Sequence, residues 1–266
     1  MRHHLAALVI SLAAPLGALA AQSDDGTTFR WSGAVAPGHT IRLHNMNGDI
    51  RVERGDGSQV EVVAERRVNR GNGRVVHFEA RARGDGDAVV CALWGDDQRC
   101  TDDGVRGSYR SGSWRGGDQV SVTMRVRVPD GVKAYARNTN GDVVLEGLTA
   151  EVDAATTNGN VNVRTSGTIV NARTTNGSVV ARLGRVEGTA PMHFASTNGS
   201  VTVYAPVTLS AELEMSTTNG GVSTELPVLV SGRVARNSLR ATIGQGGRQL
   251  TLRSTNGDVA LRRNGI

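Results

Sequence analysis

Aromatic residues are scarce: three Trp, three Tyr and three Phe make up 3% of 266 residues. The interior must therefore be built from Val, Ala, Leu and Thr, which suits a narrow core better than the broad core of a globular sandwich. The same scarcity argues against nucleic acid as a partner, because single strands are held on aromatic stacking platforms. Cysteine is limited to Cys91 and Cys100. Their spacing excludes a redox Cys-x-x-Cys site, and too few ligands lie nearby for zinc. Lysine occurs once, at Lys133, so nearly all of the 30 basic residues are arginine, against 25 acidic ones. There is no Gly-x-Ser-x-Gly elbow and no calcium-binding Gly-Gly-x-Gly-x-Asp nonapeptide. His39, His44, His77 and His193 are scattered without metal-site spacing. Beyond residue 20 no apolar run approaches a membrane span. The sequence offers no catalytic residue, no metal site and no cofactor site.

The first 20 residues read as a secretory signal peptide. Arg2 supplies the positive end, Leu5 to Leu19 are mostly apolar, and Ala18-Leu19-Ala20 forms a small-x-small cleavage site. Pro15 and Gly17 interrupt a stretch already too short for an anchor. No cysteine follows it for lipid attachment. An exported chain destined for the periplasm, the envelope or the medium is the expectation. In such a chain an isolated cysteine pair forms a disulfide, here Cys91 with Cys100, worth about 2.5–3 kcal/mol by the chain-entropy model.

What is abundant is one short motif. Asn-Gly followed by a run of alternating apolar residues recurs at Asn47-Gly48, Asn140-Gly141, Asn158-Gly159, Asn176-Gly177, Asn198-Gly199, Asn219-Gly220 and Asn256-Gly257. From the second copy the glycines are 18, 18, 22, 21 and 37 residues apart, the last close to two periods. Such regularity marks a repeat architecture. Three residues after the Asn stand Ile50, Val143, Val161, Val179, Val201, Val222 and Val259. Four before it stand Leu43, Ala136, Ala154, Ala172, Phe194, Met215 and Leu252, and six before it Ile41, Ala134, Val152, Val170, Met192, Leu213 and Leu250. Polar residues fill most gaps, so each repeat is two strands with one buried face.

Two all-β architectures fit. In a β-solenoid, a single-stranded right-handed β-helix-like stack, each repeat is a coil and equivalent residues pile up about 4.8 Å apart. In an antiparallel meander, each Asn-Gly is a type I′ hairpin loop. Register does not separate them. Thr precedes the Asn in all copies but the first, and Asn138, Thr156, Thr174, Ser196, Thr217 and Ser254 stand before that Thr. A hairpin needs no such neighbours, whereas stacked coils can bond like to like along a ladder. The solenoid is preferred.

The domain reading follows. Residues 21–38 are polar and Gly-rich, a flexible lead-in. Residues 39–263 form one β-strand-repeat domain: an irregular N-terminal sector over 39–128, then a regular Asn-Gly array over 129–263, with a degenerate coil at 227–249. Within the sector, 79–119 breaks the pattern and forms a disulfide loop. Trp94, Tyr109 and Trp114 lie there and are the candidate partner contacts. Its Asp96, Asp97, Asp102 and Asp103 lack the alternating ligand pattern of a calcium loop and read as solvated turn residues.

Chemistry is sparse. Glycoside hydrolysis on a β-helix needs paired carboxylates. The position after Asn-Gly reads Asp49, Asp142, Asn160, Ser178, Ser200, Gly221 and Asp258, so the aspartates do not adjoin within the array. Glu212 and Glu214 flank Leu213 as an outward polar face. Arg164, Arg173 and Arg182 also point outward, a surface able to hold anionic groups.

With these residues in view, the chain resembles the bacterial putative adhesin family, a domain of unknown function. The resemblance rests on the recurring Thr-x-Asn-Gly-(Asp/Ser)-Val, on Asn45-Met46-Asn47-Gly48-Asp49-Ile50, on Val128-Pro-x-Gly-Val132, and on Ile243-Gly244-x-Gly-Gly followed by Ser254-Thr-Asn-Gly-Asp-Val259. It covers nearly all of 39–263. It implies an exported β-helix-like protein without agreed catalytic residues. The functional expectation is a non-catalytic, adhesin-like solenoid that presents a repetitive surface to an envelope protein or an anionic glycan. The alternative is a carbohydrate-active enzyme acting on an anionic polysaccharide.

Overall fold

The structure is a computed structural model and describes residues 20–101, 104–107, 119–184, 186, 188–231 and 235–264. Among the described residues the strands gather into two sheets of 11 and a two-stranded ribbon. Each of the seven recurring Asn-Gly pairs is a corner between the two sheets. Strand Val152–Asn158 lies in one sheet, and Val161–Thr165, directly after Asn158-Gly159, lies in the other. Val161–Thr165 pairs in parallel with its equivalent Val179–Leu183, Val161 against Val179 and Val163 against Ala181. A hairpin would instead pair it antiparallel with the strand before the corner. The architecture is thus a β-solenoid, and the meander is excluded.

The two sheets are walls that face each other across a thin core. Val143, Val161, Val179, Val201 and Val259 are fully buried, as are Leu145, Val163, Ala181, Val203 and Leu261 two residues on. One coil cannot enclose its own inward side chains, so neighbours above and below complete the burial. In one column the expected residue is displaced. Ile169, not Val170, stands opposite Val152, and the register shifts before Asp153 meets Asn171. The extra residue is a bulge that turns Val170 half outward.

The corners are held by three devices. Asn158 donates its side-chain amide to Asn140 Oδ1 at 2.8 Å, and the pattern repeats upward through Asn176, Asn198, Asn256 and Asn219 at 2.7 Å each. The residue two before the Asn points inward and donates to the glycine carbonyl of the neighbouring coil: Thr156 to Gly141, Thr174 to Gly159, Ser196 to Gly177. Each glycine is pressed against that same carbonyl. A Cβ on Gly159 would lie 2.1 Å from Gly141 O, and its φ of +150° is one side chains avoid. The Thr adjoining each Asn takes no part; Thr157, Thr175 and Thr197 are exposed.

Stacking order departs from chain order at both ends. Named by corner asparagine, the coils run Asn47, Asn140, Asn158, Asn176, Asn198, Asn256, Asn219. The last coil of the chain is thus inserted between two earlier ones, with Val201 and Val222 each in register with Val259. The expected degenerate coil at 227–249 is instead an edge. Strand Ser238–Ile243 pairs antiparallel with Ala211–Asn219, and Leu229–Val230 pairs antiparallel outside it. At the other end, Val60–Arg70 and Val76–Ala82 run ahead to outer positions. Strands Ala88–Trp94 and Gln119–Val128 then fill the gap beside the Asn47 coil.

The expected flexible lead-in is part of that end. Residues 21–38 contain strands Ala21–Asp24 and Thr28–Gly33, with Phe29, Trp31 and Val35 buried. Phe29 stacks on Phe78 at 4.6 Å, and the buried Arg66 lies over Phe78 while binding Asp24. The end of the stack has no further coil to cover its valines, and large rings close it.

Candidate binding surface

On the wall that precedes each corner, the position three before the Asn faces outward. In chain order it reads His44, Arg137, Ala155, Arg173, Ala195, Ser216 and Arg253. In stacking order Arg253 falls between Ala195 and Ser216, so Arg and Ala alternate from Arg137 to Arg253. The small alanines leave a shallow groove of about 710 Å³, edged by the exposed Thr157, Thr175, Thr197, Thr218 and Thr255. Arg137 grips Asp153 with both nitrogens, at 2.6 and 2.9 Å. Arg253 binds Glu214 at 2.7 Å, with Arg240 at 3.8 Å from the same carboxylate. Arg173, midway, forms no ion pair among the described residues and is exposed. The groove therefore offers one uncommitted guanidinium amid a row of hydroxyls.

At one end the groove abuts the disulfide ribbon. Cys91 and Cys100 are bonded, with Cα atoms 5.8 Å apart. The bond ties the ribbon Arg99–Thr101 and Gly104–Arg106 over the outer side of Ala88–Trp94, where Val89, Cys91, Leu93 and Cys100 form a second small apolar cluster. Gly104 lies close over the His44 ring. Burial above all, with the nearby charges of Arg137 and Arg42, pushes the His44 imidazole down to about 4, so it is neutral near pH 7. Opposite Arg42 on the neighbouring strand, Tyr135 donates its hydroxyl to Glu151, and burial together with that carboxylate pushes the phenol up to about 12.

Of the candidate partner contacts, Trp94 is not on the surface. It is 3% exposed, inward on a strand whose two faces are both covered. Tyr109 and Trp114 lie outside the described residues, as do Asp102, Asp103 and residues 1–19 of the expected signal peptide. Arg164, Arg173 and Arg182 are outward, but on different walls. Arg164 and Arg182 are in-register neighbours on the wall after the corner, where Arg182 packs over Tyr204 at 4.0 Å. Arg137 and Arg253 escaped sequence reasoning because their alternation with alanine appears only once the stacking order is known. Glu212 and Glu214 share a face, as expected, and each is engaged: Glu212 accepts from Thr242, Glu214 from Arg253.

Among the described residues no helix is long and apolar enough to cross a membrane. No curated protein matches the chain. The crystal structure of a putative cell adhesion protein from Clostridium sporogenes aligns with a TM-score of 0.49 and 10% identity, over 88% of this chain and 99% of that one. A putative adhesin from Bacteroides fragilis aligns with a TM-score of 0.30 and 10% identity, over 89% of this chain and 97% of that one. The Toastrack DUF4097 family model matches residues 110–262, more than half of the sequence. This match agrees with the resemblance carried by the Asn-Gly motif and with the solenoid itself: the chain belongs to the Toastrack DUF4097 family, a domain of unknown function.

Proposed function

We propose that this protein is a non-catalytic, exported solenoid whose groove between Arg137 and Arg253 holds an extended anionic glycan of the cell envelope. The observation that carries the reading is Arg173, an exposed guanidinium without a carboxylate, central in a groove edged by threonine hydroxyls. Arginine is suited to carboxylate or sulfate groups, and hydroxyls at rung spacing match the repeating hydroxyls of a sugar chain. The disulfide fits an oxidising compartment. Against hydrolysis stands the use of the carboxylates on this wall: Asp153 and Glu214 are held by arginines, and Glu151 by Tyr135. None is left in the separated acid and base arrangement that glycoside cleavage uses.

A glycan array combined with reducing-end release tests this. Acidic polysaccharides should bind above neutral ones, lose binding as salt rises, and release no reducing ends. Arg173→Ala should weaken binding about fivefold, equivalent to ~1 kcal/mol. Equal binding of neutral chains would reject the groove reading. Depolymerisation abolished by a single Asp or Glu substitution would establish the enzyme alternative.

A further inference from the structure

Seven corner Asn-Gly pairs in one chain invite deamidation, and the fold treats one of them differently. In six, the glycine N–H is bonded to the asparagine carbonyl of the adjoining coil. Gly48 donates to Asn140 at 2.8 Å, Gly141 to Asn158 at 2.7 Å, and Gly159, Gly177, Gly199 and Gly257 to Asn176, Asn198, Asn256 and Asn219 at 2.9 Å. These glycines have φ between +104° and +151°. Gly220 has neither feature. Its coil is the last, and beyond it lies no further Asn-Gly corner but the segment of Arg236 and Asn237, which accepts from Val222 and Thr217; the Gly220 N–H makes no hydrogen bond among the described residues. Its φ is not positive. The side chain differs as well. Asn158, Asn176, Asn198 and Asn256 each give a proton to one neighbour and accept one from the other. Asn219 gives its proton to Asn256 and accepts none, and it is exposed. The residue after Gly220 is a second glycine, Gly221, which loosens the local chain further.

We infer that Asn219 is a built-in site of spontaneous deamidation, with the other six corners protected by the stack. Base removes the Gly220 amide proton, and that nitrogen attacks Asn219 Cγ. A new C–N bond forms, and the side-chain nitrogen leaves as ammonia after taking up a proton. Water then opens the succinimide to aspartate or isoaspartate, so the net change is one water consumed and one ammonia released. In the six protected pairs the attacking nitrogen must first surrender its bond to the next coil, and the corner must leave its left-handed conformation. The product places a carboxylate near Asp258, whose Oδ1 accepts from Gly221 N–H at 2.8 Å, and disturbs the strand Val222–Thr224, which has a strand partner on one side and on the other the bond from Val222 N–H to Arg236 O. Modification would therefore loosen the last rung and leave the rest of the stack intact.

The seven sites are their own control, since all share the following glycine and six share the preceding threonine. The folded protein is incubated at mildly alkaline pH, and each corner Asn-Gly peptide is quantified by mass spectrometry. Asn219 should convert at least tenfold faster than any other corner asparagine. In concentrated denaturant the seven rates should draw together. Conversion of Asn158 or Asn256 at the rate of Asn219, or no conversion of Asn219, would overturn the inference. So would the same Asn219 excess in the unfolded chain, because local sequence would then be the cause.

Discussion

Between Asn140 and Asn198 each coil of the chain is followed in space by the next; at the two ends it is not. The middle is built from one repeated coil, with Val143, Val161, Val179 and Val201 stacked at zero exposure. The ends share a different solution. At each, the chain runs past its neighbour, lays down an antiparallel edge, and returns to fill the vacated rung. Gln119–Val128 enters between Ile50–Arg54 and Val60–Arg70, and Val259–Arg263 between Val201–Ala205 and Val222–Thr224. The physical need is common to both. A parallel stack leaves open hydrogen-bonding edges and uncovered valines at its ends, and an exposed edge invites unwanted pairing. A returning segment ties each end to the interior by pairing on both sides.

Middle and end should differ in tolerance to charge. Val161→Asp places an unpaired carboxylate in the closed core and should cost about 4 kcal/mol or abolish cooperative melting. Val222→Asp, on the half-covered last rung, should cost about 1 kcal/mol. Equal losses in thermal or denaturant melts would break the distinction between interior and end.

The N-terminal end carries its own pH signature. His44 is held neutral down to about pH 4, while its unfolded counterpart titrates near 6.5. The unfolded chain therefore binds the extra proton as pH falls below 6.5, and stability should decline from there to about pH 4, by roughly 3 kcal/mol in all. Above pH 6.5 this group contributes no slope. His44→Gln should flatten that part of the melting-temperature profile; an unchanged profile would place the imidazole in water.

Opening the disulfide sharpens the comparison in the same region. Replacing Cys91 and Cys100 with serine should cost about 2.5 kcal/mol. Hydrogen exchange should rise in 88–106 and stay unchanged at the Asn158 and Asn176 corners. The smallest effect concerns a single corner. Thr174→Val removes the donor to Gly159 O and should cost about 1 kcal/mol in urea melts, whereas Thr175→Val, one residue on and exposed, should be neutral.

The inward valines were legible because period-two alternation records burial directly, and Asn-Gly marked every corner. The choice of solenoid over meander was legible too, in the polar residue two before each Asn. Stacking order was not, because the Asn256 coil carries the same letters as its neighbours and nothing local says which rung it occupies. The lead-in was misread because Gly26, Gly33 and Gly38 dominate its composition, while Phe29 and Trp31 gain partners only from distant Phe78 and Val62. Trp94 looked like surface because it adjoins a polar loop, yet its alternation with Val90 and Ala92 places it inward. The groove inherits this limit: Arg173 was visible as outward, but its setting between Arg137 and Arg253 requires the inserted coil.

Paired cysteines on the exposed threonine row test the order of the rungs most directly. Thr197→Cys with Thr255→Cys joins neighbouring coils about 5 Å apart, and Thr197→Cys with Thr218→Cys spans two rungs, about 10 Å. A disulfide tolerates only the shorter span. Under mild oxidation, peptide mapping should find the 197–255 bond in high yield and the 197–218 bond absent. The reverse result would mean that the coils stack in chain order and that the final coil is not inserted.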